Sequence, residues 1–327
     1  MRYRNSWENA TITSTELVAN NVIKIEIQPE GGVKKFTVGS HIDVSVLING
    51  TTEIRSYSLV GQYHPKAPYT ISVKRLISSR GGSNYMWSLK KGSQLKISQP
   101  TNHFELSYTT RNYILIAGGI GITPILGMAE QLSLREGISL RMLYLDRNKA
   151  EMPYIQHLKN ILGNNLEIHY SDTTGYYDVN QLIKIAQKDT QVYLCGPLNL
   201  MNSIRKIWEA GPYENSHLHF ETFGASGLFA PQNFKIKIPR FNKELKVGEN
   251  QTILQVLEHE NIEIMYDCKK GECGLCQIEV LEYTGDLDHR DLFFSEEEKG
   301  ENKKMCACVS RVANGYVVID TAYRGGI

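Results

Sequence analysis

The chain has 327 residues, of which 41 % are hydrophobic and 22 % charged, with a formal net charge of +1. That length suits two or three domains with cores large enough to need no staples. The near-neutral charge gives no reason to expect nucleic acid or an anionic membrane as the main partner.

Met1 to Glu8 is polar and lacks the apolar stretch of a secretory signal, so no export is expected. The longest uncharged run, Tyr113 to Ala129, is broken by Gly118, Gly119, Gly121 and Pro124. It reads as a buried strand, a glycine turn and a helix rather than a membrane span. Of six cysteines, Cys195 stands alone and five lie between Cys268 and Cys308. Such clustering in a large chain without a leader favours metal binding in a reducing cytoplasm over disulfides.

From about Thr11 to Ile97 the chain reads as short strands: Asn21 to Ile27, His41 to Ile48, Tyr69 to Lys74 and Gln94 to Ile97. Each alternates apolar with polar residues between Gly, Asn or Pro, the pattern of a half-exposed antiparallel sheet closing into a small barrel. Arg55-Ser56-Tyr57-Ser58 and Arg80-Gly81-Gly82-Ser83 interrupt it, the second opening a short helix through Tyr85 to Leu89. Backbone N–H groups at a glycine pair beside an arginine can cradle a phosphate; equally, the pair can be a plain turn and Arg55 a solvated strand residue.

From Asn112 strands alternate with helices: Tyr113 to Ala117, a helix from Thr123 to Arg135, then strands at Leu140 to Leu145, Leu166 to Tyr170 and Gln191 to Cys195. Alternation implies a parallel sheet covered by helices. The turn Gly118-Gly119-Ile120-Gly121-Ile122-Thr123-Pro124 opens the first helix, where glycines permit close approach of a pyrophosphate. Cys195-Gly196-Pro197 ends a later strand, and Glu221 and Phe223 close the region.

Gly224 to Asn233 reads as a linker, followed by a hairpin of Phe234 to Ile238 and Lys243 to Val247 and a helix with a capping box at Thr252. Cys268, Cys273, Cys276 and Cys306 then follow at gaps of four, two and twenty-nine residues. That is the ligand run of a plant-type 2Fe-2S ferredoxin. Structural zinc sites instead pair short knuckles on both sides. Gly271 and Gly274 allow turns that aim N–H groups at sulfur, and Lys269 and Lys270 add positive charge.

Taken together the motifs resemble the ferredoxin reductase superfamily and, by domain order over nearly the whole chain, the phthalate dioxygenase reductase family; vanillate demethylase and carnitine monooxygenase reductases are similar. The resemblance implies a multidomain fold: an antiparallel β-barrel flavin domain (1–108), an α/β nucleotide-binding domain (109–225), a linker (226–233) and an α+β, β-grasp-like plant-type ferredoxin domain (234–327). It further implies an NADH-dependent reductase that passes electrons through FMN and a 2Fe-2S cluster to a Rieske-type oxygenase. Arg55, Ser56, Tyr57, Ser58, Lys74, Arg80, Gly81, Gly82 and Ser83 would hold FMN. Gly118, Gly119, Gly121, Thr123, Pro124, Asp172, Cys195, Gly196 and Pro197 would hold NADH, Asp172 disfavouring a 2′-phosphate. Ser58, Cys195, Glu221 and Phe223 would lie at the site of hydride transfer. The family spacing selects Cys306 over Cys308 as fourth ligand. A stand-alone flavin reductase and a redox sensor are the competing readings, and the acceptor's substrate (an aromatic acid, a methoxylated aromatic or a quaternary amine) leaves no mark on this chain.

Overall fold

A computed structural model describes residues 6–48, 50–76, 81–223, 227 and 229–321. They divide into two compact units, Met1–Glu221 and Thr222–Ile327.

The first unit opens with strands β1 (Trp7–Ala19), β2 (Val22–Pro29), β3 (Ser40–Ile48), β4 (Thr51–Ser58) and β5 (Tyr69–Lys74). Helix α1 (Gly82–Ser88) and strands β6 (Gln94–Ser98) and β7 (Thr101–Asn102) follow. The sheet runs β4-β3-β6-β1-β2-β5, with β7 paired to β3. A bridge between Leu59 and Ile71, backed by the Val60 N–H donating to the Thr70 carbonyl (2.8 Å), links the two ends of the sheet. Its interior is filled by alternate residues, among them Ile12, Ile25, Ile42, Val44, Ile71 and Ile97. β1 and β4 are not among the strands that the sequence pattern announces. β1 contributes only Ala10 and Ile12 as fully buried residues and is bulged twice, so its alternation is faint.

The second half of this unit comprises β8 (Asn112–Gly118), α2 (Ile122–Ser133), β9 (Ser139–Asp146), α3 (Ile155–Leu162) and β10 (Leu166–Tyr170). It continues with α4 (Ser171–Thr174), α5 (Val179–Ile183), β11 (Gln191–Cys195), α6 (Leu198–Glu209) and β12 (Leu218–Glu221). The five strands are parallel in the order β10-β9-β8-β11-β12. β8 is central and buried on both faces, which explains its unbroken apolar run. Strand order reverses between β8 and β11, and that switch point is where open α/β sheets bind ligands. Helix α2 reaches the barrel directly, because a Cβ on Gly127 would stand 2.5 Å from the Gly61 carbonyl oxygen.

The second unit contains β13 (Phe234–Ile238), β14 (Lys243–Val247), α7 (Ile253–His259), β15 (Gln277–Tyr283), β16 (Asp286–Asp288), α8 (Glu296–Glu301), β17 (Lys304–Cys306), β18 (Arg311–Ala313) and β19 (Tyr316–Asp320). Its main sheet runs β14-β13-β19-β15-β17, with β13 and β19 parallel and the hairpin β13-β14 antiparallel. Helix α7 starts with the capping box expected at Thr252, reciprocated by Gln255, and buries Ile253, Leu254, Val256 and Leu257 against this sheet's core.

Candidate functional site

Residues far apart in sequence meet at the strand ends of the first unit. The Ser58 hydroxyl, at the end of β4, donates to Glu221 Oε2 (3.1 Å) at the end of β12, and both side chains are buried. Glu221 pairs in register with Cys195 on β11, and Cys195 with Ala117 on β8. The serine of the barrel motif, the closing glutamate and the Cys195-Gly196-Pro197 turn are thus assembled around the switch point.

The glycine turn is shaped by that assembly. A Cβ on Gly121 would lie 2.2 Å from the Cys195 carbonyl oxygen, and one on Gly118 would lie 2.6 Å from Pro197 Cδ. Two of the glycines therefore let the β8 turn pack edge-on against the β11 turn, a constraint that exists before any dinucleotide binds. Gly119, at φ +56°, faces Asp146 and the Lys74 ammonium, each within about 4 Å of where its Cβ would stand. Thr123 is buried and donates to the Ile120 carbonyl (3.0 Å), holding the turn closed, and Pro124 is buried in the first turn of α2. The Cys195 side chain is fully buried within the hydrophobic core, so this residue presents its backbone to the turn.

On the barrel, Arg55 forms an ion pair with Glu53 (2.5 Å) and donates to the Ile54 carbonyl (2.9 Å). Its side chain lies against Gly82, where an added Cβ would meet Nε at 3.0 Å, while a Cβ on Gly81, at φ +92°, would overlap Ile48 at 2.5 Å. The arginine and the glycine pair are therefore brought together, as a phosphate cradle requires. Ser56 is exposed and donates to Asp43 (2.5 Å). Tyr57 packs on the barrel core, and burial pushes its hydroxyl well above the ordinary tyrosine range. Ser83 accepts from the Leu76 N–H (3.4 Å). Arg80 lies outside the described residues.

Lys74 is less free than the sequence suggests. Its ammonium is 3.0 Å from Glu151 and 3.8 Å from Asp146. Asn21 also donates to Glu151 (3.1 Å), and Tyr154, at φ +64°, meets the Ser72 hydroxyl at 2.5 Å. The hydrogen bond from Lys74 holds the Glu151 carboxyl below its ordinary range, whereas burial raises that of Asp146. This seam between barrel and parallel sheet has no sequence motif; only the position of Asp146 at a strand end next to the switch point could have flagged it. Asp172 is exposed in α4 and accepts from Asn148 (3.4 Å). Phe223 belongs to the second unit and is 42 % exposed.

In the second unit the thiols fall into two sets. Cys268 and Cys273 lie in contact, as does Cys276 with both Cys306 and Cys308, all as free thiols. Burial pushes the Cys268 thiol up, opposed by three backbone N–H groups, of Lys270 (3.4 Å), Glu272 (3.4 Å) and Cys273 (3.5 Å), aimed at its sulfur. The hydrogen bonds from Cys306 and Cys308 hold Cys276 well below the ordinary thiol range, and the same contact with Cys276, with burial, raises Cys306. Lys269, Gly271 and Gly274 all have positive φ. A Cβ on Gly274 would enter the Phe293 ring at 2.3 Å, and one on Gly271 would meet Val309 at 2.7 Å.

Among the described residues no group of three or more His, Cys, Asp or Glu converges in the manner of a single-ion site. A 2Fe-2S rhomb asks for something different, two thiolates at each of two irons with N–H donors to the sulfurs, and this donor set fits it. Cys306 and Cys308 both reach Cys276, so contact alone does not choose between them.

Residues 9–106 match the family described as the oxidoreductase FAD-binding domain, 115–206 the oxidoreductase NAD-binding domain and 236–313 the 2Fe-2S iron-sulfur cluster binding domain. Phthalate dioxygenase reductase of Burkholderia cepacia is 32 % identical over 317 residues, covering 94 % of this chain and 96 % of that protein. A carnitine monooxygenase reductase subunit of Acinetobacter pittii is 32 % identical over 288 residues, 88 % of this chain and 92 % of that one. The solved structure of a phthalate dioxygenase reductase superposes with a TM-score of 0.77 at 30 % identity, covering 96 % of this chain and 98 % of the other. Flavin-, NAD- and 2Fe-2S-binding domains are therefore all present in this chain. No helix among the described residues is long and apolar enough to cross a membrane.

Proposed function

This chain belongs to the phthalate dioxygenase reductase family, and on that premise we propose that it is the NADH-dependent reductase of a two-component oxygenase whose terminal component is of the Rieske type. It is an NAD-dependent oxidoreductase with iron-sulfur electron transfer. Relatives named as reductases of phthalate, carnitine and vanillate systems support an oxygenase as acceptor. The observation that carries the reading is the bond between Ser58 and Glu221 beside the Cys195 turn, which joins the flavin motif to the nucleotide switch point.

A bound flavin would supply acceptance of a hydride from NADH and its onward release as single electrons. The chain's own residues do the positioning. Ser58 and Glu221 form a buried polar pair at the strand ends, with the Ser58 hydroxyl proton directed at the Glu221 carboxylate. Arg55, which lies against Gly82, would with Gly81 and Gly82 cradle the flavin's phosphate, and the resemblance of this segment to the family's FMN-using reductases favours FMN over FAD. The exposed carboxylate of Asp172 repels a 2′-phosphate, which favours NADH over NADPH. Cys268, Cys273, Cys276 and Cys306 would hold a 2Fe-2S cluster, which would supply one-electron transfer to the acceptor. The chain would work in the cytoplasm, where thiol ligands stay reduced.

Electron delivery to the purified Rieske oxygenase of the same cells tests this. Cys276→Ser should abolish delivery while NADH still bleaches the flavin. Delivery that survives the substitution would favour a stand-alone flavin reductase instead.

A further inference from the structure

Behind the cysteine loop lies a set of buried ionic groups that electron transfer does not require: Asp288, Arg290, Asp291 and Arg311, each at most 5 % exposed. Burying charge is costly unless it is answered. Arg290 answers Asp288, with Nε at 2.7 Å and Nη2 at 2.6 Å from Oδ2. Arg311 donates to the carbonyls of Gly248 (2.9 Å) and Gln232 (3.0 Å). Asp291 is held differently. One oxygen accepts from the Ser310 hydroxyl (3.2 Å) and the other from the Phe294 N–H (3.0 Å), both neutral donors.

Asp291 also stands between the two arms of the thiol site. On one side, a Cβ on Gly271 would meet its Cα at 3.0 Å, and the Leu292 N–H donates to the Gly271 carbonyl (2.9 Å). On the other, the Ser310 that it accepts from donates its own N–H to the Cys306 carbonyl (3.0 Å). We propose that the buried Asp291 carboxylate is a positioning residue that latches the Cys268–Cys276 loop to the Cys306 arm and, through its negative charge, lowers the reduction potential of the cluster. The inference rests on the reading of these cysteines as 2Fe-2S ligands. Its physics is that reduction adds negative charge to an already anionic centre, and a fixed anion nearby in a low-dielectric interior opposes that addition.

An EPR-monitored redox titration of the cluster in the full-length holoprotein tests the proposal, with iron content measured alongside. Asp291→Asn is the informative variant, because the amide keeps an acceptor for Phe294 and can donate to Ser310. Its cluster should be tenfold easier to reduce, equivalent to about 59 mV for a one-electron couple, while the flavin potentials stay in place. An unmoved or lowered cluster potential at full iron content overturns the proposal. Should Asp291→Asn assemble no cluster, Ser310→Ala decides: stripping a donor from the carboxylate should lower the potential, and a rise or no change overturns the charge argument. A wild-type protein with no 2Fe-2S signal overturns the cluster reading itself, before any variant is compared.

Discussion

In the first unit the groups that meet at the proposed hydride-transfer site come from distant places: Ser58 and Glu221 are 163 residues apart in sequence and 3.1 Å apart in space. In the second, three of the four proposed ligands fall within the nine residues from Cys268 to Cys276, and the loop makes its own donors from positive-φ turns. A cluster loop has to fold around a dianion, so local backbone geometry dominates it. A hydride site has to align two planar cofactors, so rigid elements from two subdomains must converge on it. Errors in the two regions should accordingly fail in different ways, the loop by losing its metal and the strand-end site by losing rate.

The sharpest break in that comparison comes from the fourth thiol. Cys306→Ser should lose the cluster outright, measured as iron and acid-labile sulfide per chain, whereas Cys308→Ser should keep it; the reverse result would transfer the role to Cys308. Glycine substitutions come next and probe packing in both regions. Gly121→Ala drives a Cβ against the Cys195 carbonyl, and Gly274→Ala drives one into the Phe293 ring at φ +70°. Overpacking typically costs about 1–3 kcal/mol, so both should unfold at lower temperature by calorimetry. The loop variant should lose iron and the turn variant should lose NADH affinity.

Glu221→Gln tests the strand-end site alone. A hydrogen bond to a charged group is worth roughly 1.5–3 kcal/mol, so anaerobic flavin reduction by NADH should slow by about ten- to a hundredfold with iron content unchanged. A smaller effect follows from Asp172→Asn, which removes one exposed charge. Exposed charge interactions are worth about 0.2–1 kcal/mol, so kcat/KM for NADPH should rise by at most about fivefold while that for NADH changes little.

The mildest prediction concerns pH. Burial raises the Asp146 carboxyl above its unfolded value, so the folded state binds that proton more tightly and its ionisation costs stability at neutral pH. Asp146→Asn should then raise the melting temperature at neutral pH, and the gain should vanish as pH falls below the ordinary carboxylate range. Glu151, lowered by Lys74, has the opposite sign. Glu151→Gln should destabilise at neutral pH and become neutral under acid.

What the amino-acid pattern reveals follows the same division. The cysteine spacing, the capping box at Thr252, the hairpin at Phe234–Val247 and the buried run of β8 are local signals, and the elements form where the pattern puts them. β4 is hidden because only Ser58 of its eight residues is fully buried, although it carries the Arg55-Ser56-Tyr57-Ser58 motif. β1 is hidden by its two bulges and polar faces. The Ser58–Glu221 pair is legible only as two separate motifs, since nothing local brings the ends of β4 and β12 together. The seam of Lys74, Asp146 and Glu151, and the latch at Asp291, are invisible for the same reason: their partners lie across the fold, and a buried carboxylate looks like a surface one in the sequence.

The central claim is that electrons received from NADH in the first unit leave through the thiol site of the second. Rapid-freeze EPR after anaerobic mixing of the holoprotein with NADH tests it most directly. A reduced 2Fe-2S signal growing in as the flavin absorbance falls is the predicted result, and flavin bleaching with no cluster signal at any time would contradict it.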